Sequence, residues 1–245
     1  VPFDLGVQYV QKAAIDKWDN PAGRVRGRVR AMNGEFSGGT AASFKATVKS
    51  LETRPELFNV LIDPFSLAGK AGPEQPADNK PYEDDVLGAW VAPFIMAAIN
   101  TKNVHRSNAL MDYAYGENFL YDEMMVTGFG DEGKAVAEYV TKASPLDGDN
   151  VPQPGEGPSK EKRESGNYDV LFLAEGADGS VLKASVKGDM DPGYGSTSKM
   201  IAESALCLVQ DCGELGGGIY TAASAMGDKL VTRLEANAGL TFSME

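Results

Sequence analysis

The stretch that decides the fold is "RVRGRVRAMN", residues 24–33, in which long basic side chains alternate with small or apolar ones. A period of two puts the arginines on one face of an extended chain, and two valines, a glycine and an alanine on the other. The breaker cluster "NPAG", residues 20–23, precedes it. The sequence therefore predicts a half-buried strand with an arginine face, formed by Arg24, Arg26, Arg28 and Arg30.

Helical segments are predicted on both sides of this strand. Asp4 is placed to cap the helix predicted for "DLGVQYVQKAAIDKW". After the strand, apolar residues between 39 and 61 recur every three or four positions, and a second helical piece is expected to start near Pro55. Residues 63–85 are rich in Pro, Gly and acids and are interpreted as an exposed loop. The apolar run 86–99 is interpreted as a buried helix, because it is shorter than the roughly 20 residues that span a membrane.

The sequence pattern of the second half of the chain predicts strands interrupted by helices. Residues 119–127 are typical of a strand, and "DEGKAVAEYVTKA" of a short helix with acids in its first turn. Residues 145–160 are expected to form a second Pro/Gly loop. The dipeptide Asp178-Gly179 between two strand-like runs predicts a β-hairpin.

The last part of the chain predicts two helices and a final strand. One helix is expected to take its N-cap from Ser196, Thr197 or Ser198 and to stop at Gly213. Another is expected to stop at Gly239, before a short terminal strand. About five strands with antiparallel hairpins and inserted helices indicate an α+β fold rather than a doubly wound parallel sheet.

Composition excludes several classes of protein. The 245 residues carry 23 Lys and Arg against 35 Asp and Glu, a formal charge of -12 that argues against nucleic acid or an anionic membrane as a non-specific partner. Two cysteines, Cys207 and Cys212, with the single histidine, His105, can form neither a disulfide framework nor a usual four-ligand zinc site. No metal is expected, and the scarcity of cysteines fits a reducing cytoplasm, where we expect the protein to be located. No targeting segment is visible in these residues.

A glycine-rich junction, "EFSGGTAAS", lies between the arginine strand and the helical segment that follows it. A glycine turn that feeds a helix start can hold an anion on backbone N–H groups, or it can simply be a capped turn, which is the more common case. The same two interpretations apply to "DPGYGSTSK", residues 191–199. Neither stretch has the spacing of a dinucleotide-binding or P-loop fingerprint.

Other candidate residues have stronger structural than functional interpretations. The arginine row could receive an anionic substrate, but it is more typical of a solvated face paired with acids across the sheet. His105 is interpreted as a helix-end residue, and Tyr113 and Tyr115 as core or interface residues. The two cysteines, five positions apart, are placed on different faces of one helix as small buried residues rather than a redox pair.

Taken together, six blocks resemble the saccharopine dehydrogenase-like oxidoreductases, a group that includes the trans-acting enoyl reductases. They occur in the same order as in that family and cover nearly the whole chain. The blocks are "VPFDLG", "FSGGTAASF", "WVAPFIMAAINTKNVHRSNAL", "PGEGPSKEKRESG", "GDMDPGYGSTSKMIAESALCL" and "GGGIYTAASAMGDKLVTRLEANAGLTF".

The resemblance implies a specific organisation. Family members begin with an NAD(P)-binding Rossmann domain, so residues 1–245 are expected to be the substrate and oligomerisation domain, with a mixed, largely antiparallel sheet covered by helices. NAD(P) would be bound mainly by the missing N-terminal domain, and a homodimer is expected. The residues implied to face the substrate or nicotinamide cleft are Asp4, Ser37, Gly38, Gly39, Thr40, Thr221 and Met226. Ala222 departs from the family's Thr-Pro pair, and no catalytic residue is assigned.

Two functions from different classes follow. The first is the substrate side of an NAD(P)-dependent oxidoreductase that reduces a hydrophobic carbonyl or enoyl compound and is inactive without its Rossmann domain. The alternative is a non-catalytic dimerisation or lipid-associated module, in which the apolar run 86–99 lies against a partner or lipid instead of a core. True saccharopine dehydrogenase activity is disfavoured, since no arginine set matches its multiply charged substrate.

Overall fold

The computed structural model describes residues 1–143 and 152–245, and in these ranges it places one seven-stranded sheet flanked by helices. The strands are β1 (Arg24–Asn33), β2 (Tyr82–Asp84), β3 (Ala89–Pro93), β4 (Leu120–Gly128), β5 (Asn167–Glu175), β6 (Val181–Gly188) and β7 (Leu240–Met244). The helices are α1 (Pro2–Trp18), α2 (Gly38–Thr53), α3 (Leu57–Ile62), α4 (Ala97–Leu110), α5 (Gly130–Lys142), α6 (Lys160–Ser165), α7 (Gly195–Gln210), α8 (Ala222–Ala225) and α9 (Gly227–Asn237).

The arginine strand β1 is the centre of the sheet. The strand order is β2-β3-β4-β1-β5-β6-β7, with β1 parallel to β4 and every other neighbouring pair antiparallel. The α+β class and the mixed, largely antiparallel sheet are therefore confirmed. The parallel pair brings the carboxyl ends of β1 and β4 to the same edge of the sheet.

One face of the sheet carries the main hydrophobic core. Val25 and Val29 lie on this face, buried in the same cluster as Leu5 and Val7 of α1. α1 packs on β5 and β6, while α4 packs on β4 and α9 on β7. The close approach of α1 depends on Gly6, where a Cβ atom would lie 2.3 Å from the Phe172 ring.

The apolar run 86–99 does not form the predicted buried helix. It contains β3, which ends at Pro93, and α4 starts only at Ala97. A continuous apolar run fits a buried strand and a buried helix equally well, so periodicity could not separate them. Gly88, at φ +64, and Pro93 mark the strand's two ends.

Other predicted boundaries needed smaller corrections. The loop at 63–85 contains the short edge strand β2, in which Asp84 is completely buried. Of the loop predicted at 145–160, residues 145–151 lie outside the described residues, whereas 152–159 form neither helix nor strand and α6 starts at Lys160. The last helical stretch is divided into α8 and α9 at Met226. The hairpin, α5 and the terminal strand lie where they were predicted. The helix α1 also forms, but it begins at Pro2 with Val1 as its N-cap, so the prediction that Asp4 caps it was wrong.

In the described part of the chain, no helix combines the length and the apolar character needed to cross a bilayer.

Candidate functional site

An apolar pocket of about 370 Å³ lies beside the Ser-Gly-Gly-Thr junction. Three parts of the chain form it: the end of β1, which contributes Met32; β4, which contributes Met125; and the turn that joins β3 to α4. We call it the Met/Phe pocket. Its apolar walls are Met32, Phe36, Phe94, Ile95, Met96 and Met125, and its remaining lining is Gly34, Glu35, Thr40, Pro192 and Gly193.

The junction itself is a capped helix start, as the structural interpretation predicts. The Ser37 hydroxyl accepts a hydrogen bond from the Thr40 N–H at 3.0 Å and lies 3.1 Å from the Thr40 hydroxyl. The Gly38 N–H donates to the Glu156 carbonyl at 3.0 Å. A Cβ atom on Gly38 would lie 1.7 Å from the Gln153 carbonyl oxygen, so this glycine makes room for the chain's own backbone. Thr40 remains exposed and lines the Met/Phe pocket.

The second glycine-rich stretch already holds an anion of its own. The Asp191 carboxylate, which is fully buried, accepts hydrogen bonds from the N–H groups of Gly193, Tyr194 and Gly195 at the start of α7. The N-cap position is Tyr194, so the prediction of a cap at Ser196 to Ser198 was wrong. Asp191, four residues before Gly195, satisfies these N–H donors. The start of α7 is therefore not a site for a ligand anion.

Asp4 and Thr221, both predicted for the cleft, are brought together by a residue that the sequence did not indicate. The Ser107 hydroxyl of α4 donates to Asp4 Oδ1 and lies 2.6 Å from the Thr221 hydroxyl. Asp4 Oδ2 accepts from the Ala223 N–H at 2.8 Å. Burial raises the pKa of Asp4, against these hydrogen bonds. The carboxylate thus ties the start of α1 to α8 and α4.

Met226, the remaining predicted cleft residue, is the N-cap of α9. The next residue, Gly227, has φ +47, and a Cβ atom there would lie 3.2 Å from Gln8 of α1. No hydrogen bond joins the Asp4 and Thr221 group to Ser37 or Thr40 within the described residues. The structure therefore places the predicted residues in two separate hydrogen-bonded groups. Phe94, which lines the Met/Phe pocket, stacks on Phe3, the residue before Asp4, with ring centroids 5.5 Å apart.

A buried carboxyl group on β4 was missed by the sequence analysis. Glu123 is fully buried; its Oε1 accepts from the Tyr121 hydroxyl at 2.8 Å and its Oε2 from the Asn100 amide at 2.9 Å. Burial raises the pKa of Glu123 to about 8, although these hydrogen bonds oppose the shift. We call these three residues the Glu123 cluster.

The Glu123 cluster lies outside the lining of the Met/Phe pocket. Glu123 shares one face of β4 with Met125, which does line the pocket. A glutamate in phase with Tyr121 on the core face of a predicted strand was the signal that could have identified it.

The arginine row pairs with acids, as predicted, but its centre is buried rather than solvated. Arg28 is completely inaccessible and lies 2.7 Å from Asp84 and 2.8 Å from Asp122. Arg26, also buried, contacts Glu175 and Asp85. Although burial opposes it, the guanidinium of Arg28 lowers the pKa of Asp84. These charges neutralise one another, so the row is a structural network and not a receptor for a substrate anion.

His105 and the cysteines also differ from their predicted positions. His105 lies within α4, with its ring centroid 4.3 Å from that of Phe65, and burial lowers its pKa to about 4. It is therefore neutral at physiological pH. Cys207 and Cys212 are not on different faces of one helix: Cys212 follows the end of α7, and the two buried sulfur atoms lie 4.0 Å apart.

Tyr115 lies in the core, as predicted. Tyr113 is not a core residue: it is half-buried, and the Lys70 ammonium lies 3.9 Å from its ring centroid. The described residues contain no group of three or more His, Cys, Asp or Glu side chains placed to hold a metal ion.

Comparison with known proteins finds relatives along nearly the whole chain. A Mycobacterium tuberculosis protein (strain H37Rv) named "Putative trans-acting enoyl reductase" is 35% identical over 263 aligned residues, which cover 96% of this chain and 63% of the relative. Proteins named "Trans-acting enoyl reductase" from Mycobacterium ulcerans (strain Agy99) and Mycobacterium bovis (strain BCG / Pasteur 1173P2) are each 28% identical, with 96% of this chain and 62% of the relative covered. The chain thus spans less than two thirds of the length of these relatives.

No protein-family profile and no solved structure matches the chain.

Proposed function

We propose that this chain is the substrate-side part of an NAD(P)-dependent enoyl reductase of the saccharopine dehydrogenase-like type. One observation carries the proposal: an apolar pocket of about 370 Å³, with the Thr40 hydroxyl in its wall, in a chain whose relatives are named trans-acting enoyl reductases. Ligand pockets are mostly apolar with a few placed polar groups. An enoyl thioester needs such a pocket, with an apolar tail and one carbonyl oxygen to bind.

The apolar walls of the Met/Phe pocket and the Ser-Gly-Gly-Thr junction would hold different parts of such a substrate. Three methionines and two phenylalanines supply an adaptable apolar lining that excludes water from the alkene. The Thr40 hydroxyl, at the start of α2, is placed to donate a hydrogen bond to the thioester oxygen, which gains negative charge as the alkene is reduced. Ser37 holds the Thr40 N–H and hydroxyl in position.

The described residues do not fit a whole dinucleotide. The donors at the start of α7 are occupied by Asp191, and the start of α2 is occupied by Ser37 and by the chain segment at residues 153–156. The sequence also lacks the glycine fingerprint that cradles a pyrophosphate. The proposal therefore assigns NAD(P) to a separate Rossmann domain, in keeping with the 63% of the relative that the chain spans. The reducing equivalent would come from that domain.

Binding of a short enoyl thioester to the 245-residue chain tests the proposal. Crotonyl-N-acetylcysteamine, titrated by isothermal calorimetry, should bind the wild type, and Phe36→Ser or Ile95→Ser should weaken binding by about tenfold, since each removes a large apolar side chain from the pocket. Ile201→Ser, which changes an equally apolar residue that is 68% exposed on α7, is the matched control and should have no effect.

Two results would contradict the proposal. Equal binding by wild type and both pocket variants would place the substrate elsewhere. Micromolar binding of NADPH by this chain alone, detected as enhanced nicotinamide fluorescence, would show that the cofactor does not depend on another domain.

The alternative of a non-catalytic dimerisation or lipid-associated module rested on residues 86–99 lying against a partner or lipid instead of a core. Ala89, Val91 and Phe94 of this run are buried inside the described chain, which disfavours that arrangement for them, whereas Ile95 and Ile99 are 43% and 56% exposed. A homodimer remains a prediction, which sedimentation equilibrium tests directly.

A further inference from the structure

We propose that Glu35 is the acid–base residue of the Met/Phe pocket, and that it exchanges a proton with the carbon atom next to the carbonyl group of a bound thioester. The inference rests on the proposed function and adds a reacting group to it. It starts from the composition of the pocket wall. Among the described residues that line the pocket, Glu35 is the titratable one and Thr40 carries the one hydroxyl; the others are Met, Phe, Ile, Pro and Gly.

Glu35 and Thr40 belong to one short, fixed segment at the edge of the pocket. Glu35 lies in the connection between β1 and α2, five residues before Thr40. A Cβ atom on Gly34 would lie 2.6 Å from Pro192 Cδ, and one on Gly193 would lie 3.0 Å from the Glu35 carbonyl oxygen. The backbone on both sides of the pocket is therefore in close contact here, which fixes where the Glu35 side chain starts.

The Glu35 carboxylate is paired with the Lys162 ammonium of α6. The side chain of Glu35 is 49% exposed and that of Lys162 is 58% exposed. The pair thus lies where the pocket opens to solvent, and not in its apolar interior. Lys162 restricts the position of the carboxylate, and water can renew a proton that the carboxyl group has given away.

A carboxylate and a hydroxyl in one wall suit a particular reaction. Removing a proton from the carbon next to a carbonyl group requires a base near that carbon and a hydrogen-bond donor at the oxygen, where negative charge accumulates. In this step the C–H bond breaks, the proton passes to the Glu35 carboxylate, and the electron pair moves to the oxygen, which accepts a hydrogen bond from the Thr40 hydroxyl. The reverse step returns a proton that comes from solvent, so nothing is consumed.

The same carbon matters for the proposed reduction. When the alkene of an enoyl thioester is reduced, the carbon next to the carbonyl group gains a proton. Glu35 in its protonated form would be the donor of that proton. The proton exchange, however, needs only this chain and a thioester, so it can be measured on its own.

Exchange of hydrogen for deuterium tests the proposal. Phenylacetyl-N-acetylcysteamine, whose ring makes the protons next to the carbonyl group more acidic, is incubated with the 245-residue chain in D₂O, and loss of its CH₂ signal is followed by NMR. At saturating thioester, the wild type should exchange these protons about 100-fold faster than Glu35→Gln, the lower end of the usual effect of a positioned acid–base group. Glu52→Gln, on an exposed residue of α2, is the matched control and should exchange at the wild-type rate.

The role of Lys162 has a separate readout. Lys162→Met should slow the exchange, because the carboxylate loses the partner that positions it. Lys162→Arg should restore the rate, since a guanidinium also pairs with a carboxylate. A failure of arginine to restore the rate would remove Lys162 from the proposal.

Each other outcome is decisive. Exchange by Glu35→Gln at the wild-type rate overturns the assignment of Glu35. Wild-type exchange no faster than in buffer, although calorimetry shows that the phenylacetyl compound is bound, also overturns it and leaves the proposed pocket standing. If neither this compound nor the crotonyl compound binds, the proposed function is overturned as well.

Discussion

The hydroxyl of Tyr121 donates a hydrogen bond to Glu123 at 2.8 Å on the core face of β4, and both side chains are buried. A carboxyl group in this position resists ionisation, and burial raises its pKa from the ordinary 4.5 to about 8. The folded protein thus keeps a proton that the unfolded chain releases.

This difference predicts that stability falls as pH rises. Between pH 4.5 and pH 8 the unfolded state binds fewer protons at Glu123 than the folded state, so the group lowers the free energy of unfolding progressively over that window. At about 1.4 kcal/mol per pKa unit, the upper limit of the loss is about 5 kcal/mol. Glu123→Gln should remove it, and urea unfolding at pH 5 and pH 8 measures the change. Glu138→Gln, on the exposed face of α5, is the matched control, and an unchanged pH slope in Glu123→Gln would contradict the prediction.

His105 should act in the opposite direction at lower pH. Its folded pKa is lowered from 6.5 to about 4 by burial, so below pH 6.5 the unfolded state gains a proton that the folded state does not. The contribution of neutral His105 to the free energy of unfolding is therefore fully present above pH 6.5 and is lost as the pH falls to about 4. His105→Phe keeps the aromatic contact with Phe65 and should unfold with a weaker dependence on pH between 6.5 and 4. Thermal unfolding across that range would refute this if wild type and variant decline in parallel.

Replacing Arg28 should destabilise the protein far more than replacing Arg30, which lies at the end of the same arginine row. Arg28→Met removes the cation that lies 2.7 Å from Asp84 and 2.8 Å from Asp122, and leaves these buried carboxylates only their ion pairs with Arg26 and Arg24. Breaking a buried pair in this way costs about 3–5 kcal/mol. Arg30→Met removes a partly exposed arginine, whose pairs with Asp169 and Glu245 are worth about 1 kcal/mol or less. Urea midpoints compare the two variants, and similar losses would show that burial of the network is not what stabilises it.

The two junction glycines should respond differently to alanine. Gly38→Ala places a methyl group against the Gln153 carbonyl and should detach residues 153–156 from α2, with faster amide hydrogen exchange in both segments. For Gly39→Ala the nearest atom would be Ser37 Oγ, at 3.6 Å, so this variant should be neutral or gain up to about 1 kcal/mol from helix propensity. Equal exchange rates in wild type and Gly38→Ala would contradict the assignment of Gly38 as a backbone contact.

Much of the fold was predictable because its signals are local. The alternation at residues 24–33 placed β1, helical spacing placed α1 and α5, and the Asp-Gly turn placed the β5–β6 hairpin. Where one signal allowed two structures, the prediction was wrong: residues 86–99 became a strand and the start of a helix.

The candidate site was less predictable, because its parts come from distant places in the chain. Thr40 was identified from the Ser-Gly-Gly-Thr junction, but the methionines that form the pocket come from β1, β4 and the start of α4. Ser107 had no signal of its own, since a serine on a helix face is ordinary until Asp4 and Thr221 are seen beside it.

By itself, the sequence determined most of the helices and strands, though not those within residues 82–99, and which face of β1 carries arginines, because these features depend on the spacing of side chains along one segment. Only the tertiary structure decided that Arg28 is buried, that Glu123 is buried against Tyr121 and Asn100, and that Asp191 fills the start of α7. The physical reason is that the cost of burying a charge is set by its partners, and Asp84 lies 56 positions from the arginine that it neutralises.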